Sequence, residues 1–249
     1  FHPADSKIIY AVTATQFFRS TDLGETWTAI TLPDVSSKGG IIGVSKANPA
    51  VVYVTFVGDY DSGKNTPVFK STDAGLTFKT TKAANKINLN GYTESQSGQG
   101  TYNYGMTVDP KDANNVWICG HCIWNSRDGG ITWKRLTNWA VEMHTDMHQL
   151  IYSPHNAGLL FNANDGGVWI NDDAGAGVKW KPVSDGLAST ENYHAGQSPI
   201  KKDRMGAGTQ DNGELYYDAG GWYTNRGGDY TATYAFDYQN SNMFYYPSS

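Results

Sequence analysis

A short phrase of the form Ser-x-Asp-x-Gly-x-Thr-Trp recurs along the chain, and it constrains the fold more than any other feature. Near-intact copies run over residues 20–27, 71–78 and 126–133, and a degraded copy begins at Asn171. Apolar segments follow each other in the same order around each copy, which indicates one supersecondary unit stacked repeatedly. We call the three intact segments the aspartate turns. Their acidic residues are Asp22, Asp73 and Asp128, and the degraded copy carries Asp173.

Each repeat predicts four short β-strands. Runs such as Val116–Ile118 and Ile123–Asn125 alternate with turns rich in Gly, Asn, Asp and Pro, which is a strand-and-hairpin signal, and no window has a helical period. The turn prolines at positions 3, 49, 110, 154 and 199 are separated by 46, 61, 44 and 45 residues. Four strands in 40–50 residues make one blade of a β-propeller. We therefore predict an all-β fold, a β-propeller of four-stranded blades.

The two ends and one insertion define the expected domain organisation. Residues 1–3 read as the close of a first strand and residues 243–246 as a strand cut short, so about five blades are covered, with partial blades at both termini. Propellers close into a ring to remove their sheet edges, and we expect the chain to be part of a larger ring. We predict one domain over residues 1–249. The long repeat carries a polar, Gly/Ser-rich insertion at 82–101, predicted as a surface loop.

The chemistry of the aspartate turns is structural. The Asp carboxylate can accept backbone N–H groups across a tight turn, and the Gly supplies a positive φ. These residues resemble the Asp-box, or BNR, repeats of sialidases, of the two-propeller xyloglucan hydrolases and of sortilin-type receptor domains. In those families the boxes join the third and fourth strands, away from the ligand face. The resemblance implies structural roles for the four aspartates and places any function at the opposite mouth of the ring.

The order of the strands predicts which of the remaining polar residues lie at that mouth. In propellers of this type the innermost strand starts on the same face as the turn between the second and third strands. Tyrosines there could also stack on sugar rings. The candidate ligand-binding residues are Tyr102, Tyr104, His144, Asp146, His148, Asn164, Asp165, Gln210, Asp211, Asn212 and Asp229.

The stretch His144-x-Asp146-x-His148 is the clearest polar pattern in this set. Alternate residues of a strand share a face, so the three side chains are expected to point the same way. Two imidazoles and a carboxylate can ligate a divalent metal. A hydrogen-bonded polar network and ligand contact without metal are the other interpretations. We predict no cofactor, with a divalent metal at these residues as the weaker alternative.

Asp165, in the segment Asn164-Asp-Gly-Gly, has two interpretations. A tight hairpin turn needs Asp and Gly for backbone reasons alone. The xyloglucan hydrolases, however, place a catalytic aspartate in a similar Asp-x-Gly-Gly turn, and glycoside hydrolysis uses two carboxylates. Under that interpretation Asp165 is catalytic with Asp146, and Asp211 and Asp229 are the other possible partners. The rest of the hydrolases' catalytic signature is absent, and the chain has no second propeller.

The segment Cys119-Gly-His-Cys122 reads like the redox dithiol of disulfide isomerases, whose first Cys opens a helix. Here it lies between two apolar runs and precedes an aspartate turn, which favours a hairpin. With a two-residue turn, the cysteine Cα atoms would face each other at roughly 5.5 Å, within disulfide range. We predict a structural disulfide or a thiol pair. Metal ligation and redox catalysis are weaker alternatives.

The segment from His144 to Asp229 is similar to the Asp-box propellers of large secreted bacterial surface proteins. The similarity rests on His-x-Asp-x-His, Asn-Asp-Gly-Gly, Gly208-Thr-Gln-Asp-Asn-Gly213 and Gly-Gly-Asp. It implies a secreted or cell-surface location and further domains in a longer parent chain. The 19 basic and 24 acidic residues include no basic run, which argues against nucleic-acid partners. No apolar stretch approaches the roughly 20 residues of a membrane span.

Three functions fit these patterns. The first is an exported, non-catalytic binding or adhesion propeller that recognises a glycan or peptide at the mouth of the ring. The second is a glycoside hydrolase of the xyloglucanase type that uses Asp165 with a second carboxylate. The third is a structural or sortilin-like, peptide-binding propeller.

Overall fold

The fold is all-β. The computed structural model describes residues 1–32, 39–57, 66–81, 87–92, 98–138, 141–172, 179–187, 190–224, 228–229 and 234–245. These residues form 21 short strands. The chain divides into two compact units, Phe1–Asp185 and Gly186–Ser249, where the repeat predicted a single domain. The described part contains no helix that could cross a membrane.

The first unit holds four antiparallel sheets, each made of strands that follow one another in sequence. The first sheet has three strands, β1 (Ile9–Val12), β2 (Phe17–Ser20) and β3 (Thr28–Ile30). The second has β4 (Gly40–Val44), β5 (Val52–Phe56), β6 (Val68–Ser71) and β7 (Lys79–Thr80). The third has β8 (Gly105–Val108), β9 (Val116–Cys119), β10 (Ile123–Ser126) and β11 (Lys134–Arg135). The fourth has β12 (Met147–Tyr152), β13 (Leu160–Asn164), β14 (Gly167–Asn171) and β15 (Lys181–Pro182).

The second unit continues the pattern with a complete and a partial sheet. The complete sheet has β16 (Asn192–Gln197), β17 (Met205–Thr209), β18 (Gly213–Asp218) and β19 (Gly221–Thr224). A final pair follows, β20 (Ala235–Phe236) and β21 (Phe244–Tyr245). The sheets of both units confirm the predicted four-stranded propeller blades. No aspartate turn joins β18 to β19; Ala219 and Gly220 form a two-residue turn there, with φ of 52° and 86°.

The two faces of β5 explain why consecutive sheets pack face to face. Val52 and Val54 point to one side and belong to a core with Phe17 of the first sheet. Tyr53 points to the other side and belongs to a core with Ile118 of the third sheet. This alternation is the period of two that a strand imposes on its side chains. One strand therefore supplies side chains to two cores.

The third sheet repeats this arrangement toward the fourth. Ile118 of β9 faces the second sheet, whereas Trp117 and Cys119 pack with Leu160 of β13. The first strands β4, β8 and β12 are neighbours in succession. In the first unit, each sheet is thus covered by the next, as blades are in a propeller.

The aspartate turns close between the third and fourth strands of the second and third sheets, and between β2 and β3. In the second turn, Asp73 Oδ1 accepts the backbone N–H of Thr77 at 2.9 Å, and Oδ2 accepts the Thr77 hydroxyl at 2.6 Å. The Ser71 hydroxyl donates to Asp73 and accepts the N–H of Gly75 at 2.9 Å. The same set of bonds recurs around Asp22 and Asp128. Asp173 lies outside the described residues.

These bonds hold the carboxylates in their charged form. The Ser71 and Thr77 hydrogen bonds lower the pKa of Asp73 to about 2. The hydroxyl and backbone N–H of Thr26 lower the pKa of Asp22 to about 2 as well. Burial raises the pKa of Asp128, but its hydrogen bonds outweigh burial and the net shift is downward. The oxygens of each carboxylate therefore accept hydrogen bonds from donors of their own turn.

The insertion at 82–101 is not a surface loop in its described part. Leu89 is 1% exposed and belongs to the core between the second and third sheets. Asn88 and Asn90 are buried as well. Polar composition predicted exposure, but this segment places Leu89 and two amides in the interior and packs Ile87 against the same core. Residues 82–86 and 93–97 lie outside the described part.

Candidate functional site

The turn between β9 and β10 carries a histidine into the interior of the first unit. Cys119 pairs with Ile123 across the hairpin, so the turn contains three residues, Gly120, His121 and Cys122. His121 has no exposed surface. Its ring stacks on Tyr92 of the insertion, with centroids 3.8 Å apart and planes inclined by 17°. The insertion and the hairpin therefore bury this imidazole together.

The hydrogen bonds of His121 determine where its proton lies. The backbone N–H of Gln99 points at His121 Nε2 from 3.2 Å, and a backbone N–H only donates. Nε2 is therefore the acceptor, and the ring proton lies on Nδ1. Nδ1 is 2.9 Å from Asp146 Oδ1. His121 is thus a neutral imidazole that donates to a carboxylate; we call these two residues the inner pair.

Asp146 is a buried acid whose Oδ1 is heavily hydrogen-bonded. Besides His121, the side-chain amides of Asn103 and Gln99 donate to it, the latter at 3.4 Å. Asp146 is 5% exposed and has a φ of 55°, in the left-handed region. That conformation costs a non-glycine residue of order 1 kcal/mol, so the surrounding contacts have to hold it. From this backbone conformation the carboxylate reaches His121.

The expectation that His144, Asp146 and His148 share one strand face is wrong. Strand β12 begins at Met147, Asp146 is left-handed, and the pairing register shifts at His148. His144 donates from Nδ1 to the carbonyl of Thr145 at 3.1 Å. Among the described residues, these three side chains do not form a group of ligand atoms within 4.8 Å of one another.

Asp165 lies in the two-residue turn between β13 and β14, as the hairpin interpretation predicted. Its side chain does not close that turn. Asn164 does, because its Oδ1 accepts the N–H of Gly166 at 2.9 Å while its Nδ2 donates to Asn162 at 3.0 Å. Asp165 Oδ1 instead accepts from His148 Nε2 at 2.6 Å. Its Oδ2 is buried and has no hydrogen-bond partner among the described residues.

The His148–Asp165 pair, which we call the outer pair, lies beside the inner one. A carboxylate oxygen of Asp165 is within 4.8 Å of one of Asp146. The side chains of His148 and Asp165 are 37% and 15% exposed. Tyr102 is 48% exposed, and its ring is perpendicular to that of His148 with centroids 5.0 Å apart. The outer pair and Tyr102 form the accessible part of this cluster.

The second candidate tyrosine, Tyr104, is placed differently. Its ring packs against the core between the second and third sheets, and its hydroxyl lies 2.6 Å from Thr55 Oγ1. Burial raises the pKa of this phenol well above its usual value. Its contacts therefore contribute to packing, and Tyr102 is the tyrosine that presents its ring to solvent.

The candidate residues of the second unit surround the turn between β17 and β18. Asp211 has a φ of 58°, and the Gln210 carbonyl accepts both the backbone and side-chain N–H groups of Asn212. Asn212 forms a β-bridge with Gly228, the neighbour of Asp229. Burial and a hydrogen bond to Asp229 raise the pKa of Tyr193. That these residues meet those of the first unit at one mouth stays a prediction.

Of the two predicted states of Cys119 and Cys122, the structure shows the free thiols and not the disulfide, because the two residues are not cross-strand partners. With three residues in the turn, Cys119 faces Ile123, and Cys122 belongs to the turn itself. Cys119 packs with the fourth sheet and Cys122 with the second, on opposite sides of β9 and β10. Burial raises the pKa of the Cys119 thiol strongly. Both cysteines act as buried packing residues.

Sequence reasoning identified Asp146 but not its partners. His121 lies between two cysteines, which suggest a disulfide or a thiol pair rather than a polar site. Gln99 lies in the insertion and Asn103 just after it, where no strand pattern indicates their position. The available signal was topological, since His121 occupies the turn between second and third strands that also supplies Asp165 one blade later. A polar side chain at that turn in consecutive blades indicates a shared position.

Comparisons with known proteins agree with the fold. No protein-family model matches the chain. A xyloglucanase from Hypocrea jecorina (strain QM6a) is 24% identical over 186 residues, which cover 70% of this chain and 21% of that protein. The chain therefore spans about a fifth of its curated relative.

Two solved structures are similar along the whole chain. A GH74 enzyme from Niastella koreensis has a TM-score of 0.56 at 17% identity and covers all of this chain, which corresponds to 46% of that protein. The GH74 xyloglucanase from Xanthomonas campestris has a TM-score of 0.53 at 15% identity, with 99% of this chain and 49% of that one covered. The chain thus has a β-propeller fold similar to that of the xyloglucanases.

Proposed function

We propose that this chain is part of a non-catalytic glycan-binding propeller whose ligand contacts Tyr102 and the outer pair. The observation that carries the proposal is the arrangement of Asp165. Its Oδ1 is held by His148, and its Oδ2 has no partner among the described residues. An exposed tyrosine ring adjoins this pair. The surface that this group offers a ligand is the tyrosine ring and the His148–Asp165 pair, whose side chains are 37% and 15% exposed, while Asp165 Oδ2 itself is buried.

The chemistry of a sugar suits this group. The apolar face of a pyranose packs on an aromatic ring, and its hydroxyls donate to carboxylates. His148 immobilises Asp165 before a ligand arrives, which reduces the entropy lost on binding. The similarity to xyloglucanases makes a xyloglucan oligosaccharide the first ligand to test.

A hydrolase is the second candidate, and one observation favours it. Asp146 and Asp165 bring carboxylate oxygens within 4.8 Å, close to the roughly 5–5.5 Å between the carboxyl groups of retaining glycosidases. Asp146, however, is 5% exposed, and three donors converge on its Oδ1. A nucleophile or base needs a lone pair directed at the substrate. Binding therefore fits the geometry better than hydrolysis.

Calorimetry with xyloglucan oligosaccharides, run beside a reducing-sugar assay on xyloglucan, tests this proposal. We expect binding without turnover. Tyr102→Ala and Asp165→Asn should each weaken binding about tenfold, roughly 1.4 kcal/mol. The matched control is Tyr238→Ala, since Tyr238 is also exposed and is not one of the candidate site residues. Unchanged affinity of both site variants would contradict the proposal, and turnover that disappears in Asp165→Asn would support the hydrolase.

We further propose that the chain works outside the cell within a longer protein. Xyloglucan is a polymer too large to cross a membrane unaided, and the chain spans only part of its relatives. Detection of the chain in washed-cell and culture-medium fractions, with a cytoplasmic marker as control, tests the location. Recovery with the cytoplasmic marker would contradict it.

A further inference from the structure

A cavity of about 430 Å³ lies beside the aspartate turns of the second and third sheets. Its walls include Lys70 and Lys79, four threonines, and Asp128 with Gly129 of the third turn. Its size falls within the roughly 300–1,000 Å³ of small-molecule sites. None of these residues belongs to the inner or outer pair. The cavity is therefore a separate feature from the candidate site.

Two like charges oppose each other at this cavity. Lys70 of β6 and Lys79 of β7 are direct register partners, so their side chains share one face. Like charges in such a pair are destabilising. The other sheets of the first unit have no like-charge pair at the equivalent positions, which hold Arg19 with Thr28, Asn125 with Lys134, and Ile170 with Lys181. The double lysine is specific to this cavity.

No carboxylate neutralises either lysine through an ion pair within the described part of the chain. Lys70 Nζ donates to Asn114 Oδ1 at 2.9 Å and lies 5.4 Å from the centre of the Tyr53 ring. Desolvation lowers the pKa of Lys70, and the more distant charges of Asp112 and Asp128 only partly oppose this. The ammonium group thus lacks the direct counter-charge that a desolvated cation favours.

Asp128 lines the same cavity but is occupied by its own turn. Its oxygens accept the Ser126 hydroxyl, the backbone N–H groups of Ile131 and Thr132, and the Thr132 hydroxyl. Asp128 keeps its negative charge but forms no ion pair with either lysine in the described structure. The charged residues that line the cavity are thus two lysines and one aspartate, and a bound anion would offset the remaining positive charge.

We propose that this cavity binds an oxyanion group, a sulfate or a carboxylate, between Lys70 and Lys79. The two ammonium groups supply the charge-assisted hydrogen bonds by which proteins recognise oxyanions. The cavity is larger than a free anion, so the group is carried on a molecule of about monosaccharide size. This site is separate from the proposed glycan site and does not depend on it.

Titration by NMR at constant ionic strength, with chloride as the balancing salt, tests the site. The probes are inorganic sulfate, glucuronate and glucose. We expect sulfate and glucuronate to shift signals of Lys70, Lys79 and the aspartate turns, with glucuronate binding more tightly and glucose not at all. Lys79→Gln should weaken both anions about tenfold. Lys134→Gln, the equivalent position of the third sheet, should leave both affinities unchanged.

A charge reversal separates binding from folding, since Lys79 is exposed and its replacement leaves the core intact. Lys79→Glu should raise the Tm of the unliganded protein, because it removes the like-charge pair, and should abolish anion binding. Sulfate binding without glucuronate binding would support the lysine pair with a free inorganic anion as its ligand. Native affinity in both Lys79 variants, or equal weakening by Lys134→Gln, would overturn the proposal.

Discussion

His121 Nδ1 donates to Asp146 Oδ1 across 2.9 Å, and neither residue has more than a trace of exposed surface. The pair joins the β9–β10 turn to the segment that leads into β12. Asp146 has a left-handed backbone, and this contact and the Asn103 amide hold its carboxylate in place. We therefore expect the inner pair to fix the position of Asp146, and through it the surroundings of the neighbouring outer pair.

Removal of the imidazole should be strongly destabilising. His121→Phe keeps a ring that can stack on Tyr92 but removes one of the three donors to Asp146 Oδ1. A hydrogen bond to a buried charged group is worth about 1.5–3 kcal/mol. We expect urea unfolding to show a loss of about 2 kcal/mol. His155→Phe, at an exposed histidine, is the control, and a loss below about 0.5 kcal/mol in His121→Phe would refute the role assigned to the pair.

Alanine substitutions at two equivalent glycines should distinguish the cost of backbone strain from the cost of steric crowding. Gly24 and Gly75 occupy the same position of two aspartate turns, with φ of 94° and 81°. A Cβ at Gly24 would lie 3.5 Å from Trp27, but at Gly75 it would lie 3.1 Å from the Tyr10 ring. We expect Gly24→Ala to cost about 1 kcal/mol and Gly75→Ala measurably more in denaturant unfolding. Equal losses would show that the Tyr10 ring moves aside freely.

The aspartate turns should make the first unit sensitive to acid. The folded pKa of Asp73 is about 2, below its ordinary value of 3.8, so the charged form is favoured by folding. This stabilisation is fully present above pH 3.8 and is lost as the pH falls toward 2. Asp73→Asn should therefore reduce stability at neutral pH and flatten its decline below pH 3.8. Unfolding curves at a series of pH values, with exposed Asp5→Asn as control, measure the difference.

Both thiols should be unreactive until the chain unfolds. Cys119 and Cys122 are buried, and burial raises the pKa of the Cys119 thiol, so little nucleophilic thiolate exists. A thiol reagent should modify neither cysteine in the native protein and both in denaturant. Added reductant should leave the Tm unchanged. A reductant-dependent Tm would indicate a disulfide and contradict the observed turn.

The fold was predictable because its signals are local. Alternation in runs such as Val116–Ile118, and the turn residues around Asp73, depend on neighbours a few positions away. The second unit shows the limit of this reasoning, since Ala219 and Gly220 replace the aspartate turn and the strands still form. Strand order in this sheet therefore does not depend on the motif.

The site was predictable only in part. Strand order pointed to Asp146 and Asp165, but it assigned Asp146 to a strand face that the left-handed backbone does not permit. The contact between Gln99 and His121 depends on how an insertion folds over another blade, and no local pattern encodes that. One additional turn residue also moved Cys122 away from Cys119. Each difference comes from a tertiary contact or a single step in register.

Strand β5 packs against the first sheet with one face and against the third sheet with the other, so a shift in its register would affect three sheets. Val54 serves the core toward the first sheet, and Tyr53 serves the core toward the third. A residue inserted before Tyr53 would exchange the two faces and place each side chain in the space shaped for the other. An insertion in β5 would therefore disrupt both cores together. We expect β5 to tolerate substitutions of similar shape far better than insertions or deletions.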